Sequence, residues 1–253
     1  MTARFTQQVA LVTGGGSGIG RATALALARE GATVVVSGRR PERLAETVDQ
    51  VKAAGGLADA IPADVTRADQ VAHLVAETVA RHGGLHVAVN NAGTIGVPGL
   101  LADLSEDAWA GVLSTNLTGV WLCMKHQIAH MRSQGGGCIV NLASSIGAHL
   151  TLPGMGAYAA TKAAVNALTR TAAKEYIGAG IRINAVSPGP VDTPMSRFPG
   201  ETDQDRDARL AQVLPIRRPA TTDEIAAAVV WLASPEASFV VGHDLVIDGA
   251  GTP

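Results

Sequence analysis

Cysteine is scarce in this sequence: Cys123 and Cys138 are the only two in 253 residues. Both sit in apolar runs and show neither a C-x-x-C pair nor a metal-ligand spacing. The pattern predicts buried reduced thiols, with no disulfide framework, and a reducing, cytoplasmic setting. Charge is sparse too, at 17% of residues with a formal net of -2. No Lys/Arg cluster offsets that balance, which argues against nucleic acid as a partner. No run of about 18 apolar residues occurs, and Met1 to Gln8 carries no apolar leader core, so a soluble chain with no membrane span is expected. Aromatic residues make up only 3% of the chain, against 29 glycines and 47% hydrophobic residues. Small side chains suit closely packed layers of helix and sheet, and residues 1–253 read as one domain.

What is present begins with Val9 to Thr13, an apolar strand-like run that ends in Gly14-Gly-Gly-Ser17-Gly18-Ile19-Gly20. An Ala/Leu helix over residues 21–30 follows. Strand, glycine turn and helix in that order suit a phosphate, because bare backbone N–H groups near a helix N-terminus attract an anion and a Cβ would block its approach. A Gly-rich linker is the competing reading, and the flanking strand and helix count against it. A second strand, residues 33–37, ends in Gly38-Arg39-Arg40. In a dinucleotide fold the end of that strand reads the adenosine ribose, where an acid would select NAD. Two guanidinium groups in its place favour the 2'-phosphate of NADP; the competing reading is that Arg39 and Arg40 merely solvate the turn before Pro41.

The rest of the chain alternates in the same way. Strands are expected at residues 57–62, 86–90, 138–142, 182–187 and 244–247. Helices are expected at 42–54, 67–82, 104–132, 155–178 and 222–233, with Ser105 and either Thr221 or Thr222 as N-caps. About seven strands and six helices make a doubly wound parallel α/β sheet of Rossmann type, with helices on both faces. Ligands bind such a sheet beyond the C-terminal strand ends. Those ends carry Asp64-Val65, Asn91-Ala92-Gly93, Ser144-Ser145 and Pro188-Gly189-Pro-Val191-Asp-Thr193. Asn116, with a Thr and a Gly, interrupts an otherwise apolar helix and suggests a kink. His126 and His130 are four apart, but Gln127 stands where a zinc protease needs Glu, and a metal site is rejected. Residues 196–209 are the most loop-like and polar, and the segment 194–215 is a candidate substrate lid. Tyr158 and Lys162 share a helix face at i,i+4, so a cation beside the phenol would lower its pKa and make a general acid/base.

Thr13-Gly14-x-x-x-Gly18-x-Gly20, Asn90-Asn-Ala-Gly93, Asn116, Ser144, Tyr158-x-x-x-Lys162 and Pro188-Gly189, in order and in register, resemble the classical short-chain dehydrogenase/reductase family over essentially the entire chain. The resemblance implies hydride exchange between a nicotinamide cofactor and an alcohol or carbonyl substrate. Tyr158 would move the proton, Lys162 would tune it and bond the nicotinamide ribose, Ser144 would bond the substrate oxygen, and Asn116 would hold a relay water. Gly14, Ser17, Gly18, Ile19 and Gly20 would hold the phosphates, Arg39 the adenosine ribose, and Asp64 and Val65 the adenine. Asn91 would meet the adenine-side ribose region and Val191 and Thr193 the carboxamide, with Ala92, Gly93, Pro188 and Gly189 also against the cofactor. The family commonly places Ser thirteen residues before Tyr, which would choose Ser145. Counting from the strand chooses Ser144 and puts one extra residue before Pro153. The implied activity is an NADP-dependent (NAD possible) secondary alcohol dehydrogenase or carbonyl reductase. Alternatives are a 3-oxoacyl thioester reductase, an NAD-dependent sugar or polyol dehydrogenase, and a non-catalytic dinucleotide sensor. A homotetramer paired through helices 104–132 and 155–178 is also implied.

Overall fold

The computed structural model describes residues 3–198 and 200–252. Seven strands, β1 (Val9–Thr13), β2 (Thr33–Ser37), β3 (Leu57–Ala60), β4 (Val87–Asn90), β5 (Gly137–Leu142), β6 (Ile181–Pro188) and β7 (Asp244–Ile247), form one sheet. Their order is β3-β2-β1-β4-β5-β6-β7, and every neighbouring pair is parallel. Parallel neighbours need crossovers, which the helices supply: α1 (Gly18–Arg29), α2 (Pro41–Ala53), α3 (Ala68–His82), α4 (Glu106–Leu113), α5 (Gly119–Gln134), the short α6 (Ser145–Ala148), α7 (Gly156–Tyr176), α8 (Asp203–Val213) and α9 (Thr222–Ala233).

Side-chain alternation along the strands divides the interior into two cores. Ala10, Val12, Val34 and Val36 face α1, α2 and α9 through residues such as Leu27, Leu44 and Ile225. Their neighbours Val9, Leu11 and Val35 face α3, α5 and α7 through Leu74, Met124 and Val165. Burial on both faces explains why these strands read as unbroken apolar runs. Strand order reverses between β1 and β4, so a crevice opens there at the C-terminal ends.

Two expectations are corrected. Residues 104–132 are not one helix: α4 and α5 are separated by a π turn over Ser114–Thr118. The kink at Asn116 is therefore a change of hydrogen-bond register. The stretch 196–209 is not mainly loop. Thr202 caps α8 through a reciprocal box with Asp205, and Arg206, almost fully buried, pairs with Asp192 at 2.8 Å and with Asp207 at 2.7 Å. These contacts replace the apolar periodicity that the sequence lacks there. Among the described residues, no helix is long and apolar enough to cross a membrane. Both cysteines are buried and free, and burial pushes the Cys123 thiol up to about 12 and the Cys138 thiol up to about 11.

Candidate active site

The loop between β1 and α1 has the shape of an anion cradle. Gly14 and Gly18 have positive φ (66° and 53°), a conformation that costs glycine little. A Cβ on Gly20 would collide with the Gly14 carbonyl, and one on Gly14 would meet the Asn91 amide at 2.7 Å. Ser17 is the N-cap of α1, yet its side chain makes no capping bond, so an exposed hydroxyl stands free at a helix N-terminus. Ile19 turns away and packs against the core.

The cradle is held from behind by groups that the sequence reading missed. Arg21 Nη2 donates to the Gly16 carbonyl at 2.6 Å, and Thr47 Oγ1 donates to the Gly15 carbonyl at 2.9 Å. Thr13 Oγ1 accepts from the backbone N–H groups of Asn91 and Ala92 at 3.1 and 3.2 Å. Thr13 opens the glycine motif in the sequence, but its role as the acceptor for the end of β4 was not legible there. The Asn91 amide donates to the carbonyls of Thr13 (3.0 Å) and Gly14 (3.2 Å), tying the end of β4 to the glycine loop.

At the β2 and β3 ends, Arg39 is exposed. Burial works to raise the Asp64 carboxyl, but hydrogen bonds from Thr66 and the Arg39 and Arg67 charges outweigh it and hold Asp64 below its ordinary value. Val65 is buried and presses on α5 where Gly119 leaves room, since a Cβ there would lie 2.9 Å from Val65 Cγ2. Across the crevice, Thr193 lies against Gly18, with its Cγ2 3.3 Å from where a Cβ would sit. Pro188 ends β6, Gly189 packs on Asp248 through its missing Cβ, and Val191 bridges to Ala220.

Beside the cradle, β5 delivers Ser144 and α7 delivers Tyr158 and Lys162, all three buried. Burial raises the Tyr158 pKa, and the Ser144 hydroxyl, within hydrogen-bonding reach of the phenol, opposes that rise. Ser144 Oγ also accepts from Ile146 N at 3.1 Å, which fixes the hydroxyl at the start of α6. Ser145 belongs to the same turn, and its carbonyl accepts from Leu150 N. Lys162 differs from expectation. Its ammonium donates to the Leu142 carbonyl at 2.7 Å, lies 5.7 Å from the Tyr158 ring centroid, and is itself lowered to about 8 by burial. Burial is the largest influence on both groups.

Asn116 is fully buried in the π turn, with its amide committed: Oδ1 accepts from Thr94 N at 2.8 Å, and Nδ2 donates to Thr94 O at 2.8 Å and to Thr161 Oγ1 at 3.3 Å. It clamps the chain after Gly93. Gly93 lies between Asn116 and Lys162, its absent Cβ being 3.4 Å from Asn116 Oδ1 and 3.7 Å from Lys162 Nζ. His126 and His130 stand apart on α5, where His130 pairs with Gln134 at 2.8 Å.

A doubly wound sheet with a glycine cradle at its switch point, and a buried Ser, Tyr and Lys beside that cradle, defines a dinucleotide-binding oxidoreductase architecture. Residues 14–251 match a family model described as enoyl-(acyl carrier protein) reductase. The chain is 39% identical over 253 residues to a cyclohexanol dehydrogenase of an Acinetobacter strain, covering 100% of this chain and 98% of the relative. It is 38% identical over 247 residues to the 3-oxoacyl-[acyl-carrier-protein] reductase FabG of Thermotoga maritima, covering 97% and 98%. Among solved structures, levodione reductase superposes with a TM-score of 0.93 at 38% identity, covering 97% and 98%. The chain belongs to the classical short-chain dehydrogenase/reductase family. It is an NAD(P)-dependent oxidoreductase acting on alcohol or carbonyl groups of small molecules.

Proposed function

We propose that the protein interconverts secondary alcohols and ketones with NADP(H), with Tyr158 as the acid/base. The observation that carries this reading is the convergence of Ser144, Tyr158 and Lys162 in a buried corner that opens beside the glycine cradle. The residues present fit a dinucleotide. The cradle admits no Cβ at Gly14 or Gly20, the Ser17 hydroxyl is free, and Arg39 stands exposed at the ribose end with no acid on β2 to repel a 2'-phosphate. Gly14, Ser17, Gly18 and Gly20 would hold the phosphates, Arg39, Asp64 and Val65 the adenosine, and Ala92, Gly93, Pro188, Gly189, Val191 and Thr193 the nicotinamide half. When bound, the cofactor accepts or supplies the hydride.

In the oxidation direction Tyr158, as phenolate, takes the hydroxyl proton while Ser144 donates a hydrogen bond to the same oxygen; the C–H electron pair leaves as hydride and a ketone results. Burial favours the neutral phenol, so the base form would depend on positive charge nearby: Lys162, which would bond the cofactor ribose, and the charge that an oxidised nicotinamide would supply. With the Asn116 side chain committed to Thr94, the backbone carbonyls loosened by the π turn are the groups left to hold a relay water. The T. maritima relative favours the 3-oxoacyl thioester reading as the alternative. A cytoplasmic homotetramer paired through α5 and α7 accompanies the proposal.

The test follows absorbance with NADPH and NADH in parallel over ketones, 3-oxoacyl thioesters and sugars. Turnover with NADPH that Tyr158→Phe lowers by about 100-fold or more supports the reading. Cofactor binding without any turnover points to the sensor instead.

A further inference from the structure

The wall facing Tyr158 points to what the substrate is, given the alcohol/ketone reading on which this inference rests. Ile95, Val97, Leu101, Leu104 and Met155 line a narrow cleft of about 10 Å³ beside Tyr158, with Gly99, Gly154 and Gly156 as its small members. The two sides of that cavity are tied together by Gly99 N donating to the Gly154 carbonyl at 3.0 Å, and Gly156 leaves room for Leu101, whose Cδ1 lies 2.9 Å from where its Cβ would be. The wall is thus set by backbone contacts, independent of any ligand. Val97 and Leu101 are each 69% exposed, and on other segments Leu152, Met195, Phe198 and Ile216 are exposed as well. Large apolar side chains left in water beside a cavity, as Val97 and Leu101 are, mark a surface that something covers.

The polar groups nearby are already engaged. Asn116 is spent on Thr94 and Thr161, and Thr94 Oγ1 accepts from Gly96 N. In the 194–215 segment, Arg197 pairs with Asp203, Arg206 with Asp192 and Asp207, and Arg209 with Glu201, while the Arg209 guanidinium stacks 4.0 Å from the Phe198 ring centroid. A segment that is highly charged in sequence therefore has each of its arginines ion-paired and leaves Met195, Phe198 and Val213 as its exposed apolar members. A polyol entering here would strand its hydroxyls without partners, and a carboxylate or phosphate would find no cation on that lid.

We infer that the substrate is a compact, uncharged, mainly hydrocarbon secondary alcohol or its ketone, and that Leu101 and Phe198 are specificity-determining residues. The experiment compares kcat/KM of the full chain with NADP+ for 4-methylcyclohexanol, 4-hydroxycyclohexanecarboxylate and myo-inositol, and with NADPH for acetoacetyl-CoA. The neutral ring should exceed each of the others by about tenfold or more, since each stranded polar group costs about fivefold to 100-fold. Leu101→Asn and Phe198→Ser, both at exposed positions where folding is little affected, should each raise its KM about tenfold with kcat nearly unchanged. Equal or better turnover of the polyol or the thioester overturns the inference and leaves the alcohol/ketone reading standing. So does preference for the carboxylate. Absence of turnover with every probe overturns both.

Discussion

Replacing Lys162 by methionine should make the cofactor-free protein more stable while inactivating it. Lys162 is buried, and its pKa falls from 10.5 to about 8. At about 1.4 kcal/mol per unit, confining the ammonium there costs about 3 kcal/mol below pH 8. The sign follows from the lowered folded value. Between about pH 8 and 10.5 the unfolded chain binds the proton that the folded one has released, so the wild type gains stability across that window. Methionine fills a similar volume without charge, but it leaves the Leu142 carbonyl, now bonded at 2.7 Å, without its donor, at about 1 kcal/mol. The net gain at pH 7 is about 2 kcal/mol, a rise in Tm of about 4–8 °C for a chain of this size. Thermal unfolding of both proteins without cofactor, at pH 7 and 9.5, measures it. The advantage should shrink by about 2 kcal/mol at the higher pH. Tyr158 titrates in both proteins and cancels in the comparison. A variant less stable at both pH values, or a difference that ignores pH, would show that the ammonium is not confined as described.

Ser144→Ala should lower kcat about 100-fold, as loss of one oxyanion donor does, while Ser145→Ala stays within a few-fold; steady-state kinetics in which the two are reversed would move the hydroxyl role to Ser145. Arg39→Asp should shift the NADPH/NADH ratio of kcat/KM toward NADH by tenfold or more, because a carboxylate repels the 2'-phosphate and bonds a 2'-hydroxyl; an unchanged ratio removes Arg39 from cofactor choice. Asn91→Ala removes two hydrogen bonds to the glycine loop, each about 1 kcal/mol, and should weaken cofactor binding about tenfold or more by fluorescence titration without altering the pH profile. Wild-type affinity in that variant would mean that the loop holds its shape without the amide.

The strands and the order of site motifs were legible in the sequence because both rest on short-range pattern. Apolar runs such as Val34 to Val36 mark strands buried on both faces, and the glycines between Val12 and Arg21 mark one turn. What was not legible depends on partners distant in the chain. The π turn at Asn116 follows from a clamp on Thr94, 22 residues away, and the Asn91 amide is fixed by carbonyls 77 and 78 residues away. α8 was missed for a different reason. Its signal, Thr202 three residues before Asp205, was present, but it starts a helix held by ion pairs and so lacks the apolar period that usually confirms a cap. The helix spacing of Tyr158 and Lys162 was legible, whereas the sign of their pKa shifts required their burial.

The shortage of large side chains noted at the outset is part of how the site is made, and its glycines meet two different demands. At Gly20 a Cβ would strike the Gly14 carbonyl and the Asn91 amide, so the absence there is a condition of folding the loop. At Gly93 a Cβ would find ordinary contact distances to Asn116 and Lys162 and would cost folding little. The space it would fill borders the Lys162 ammonium, which in the proposed function would bond the cofactor ribose. Folding alone therefore accounts for Gly20, while at Gly93 the empty volume has a use only when a cofactor lies beside Lys162.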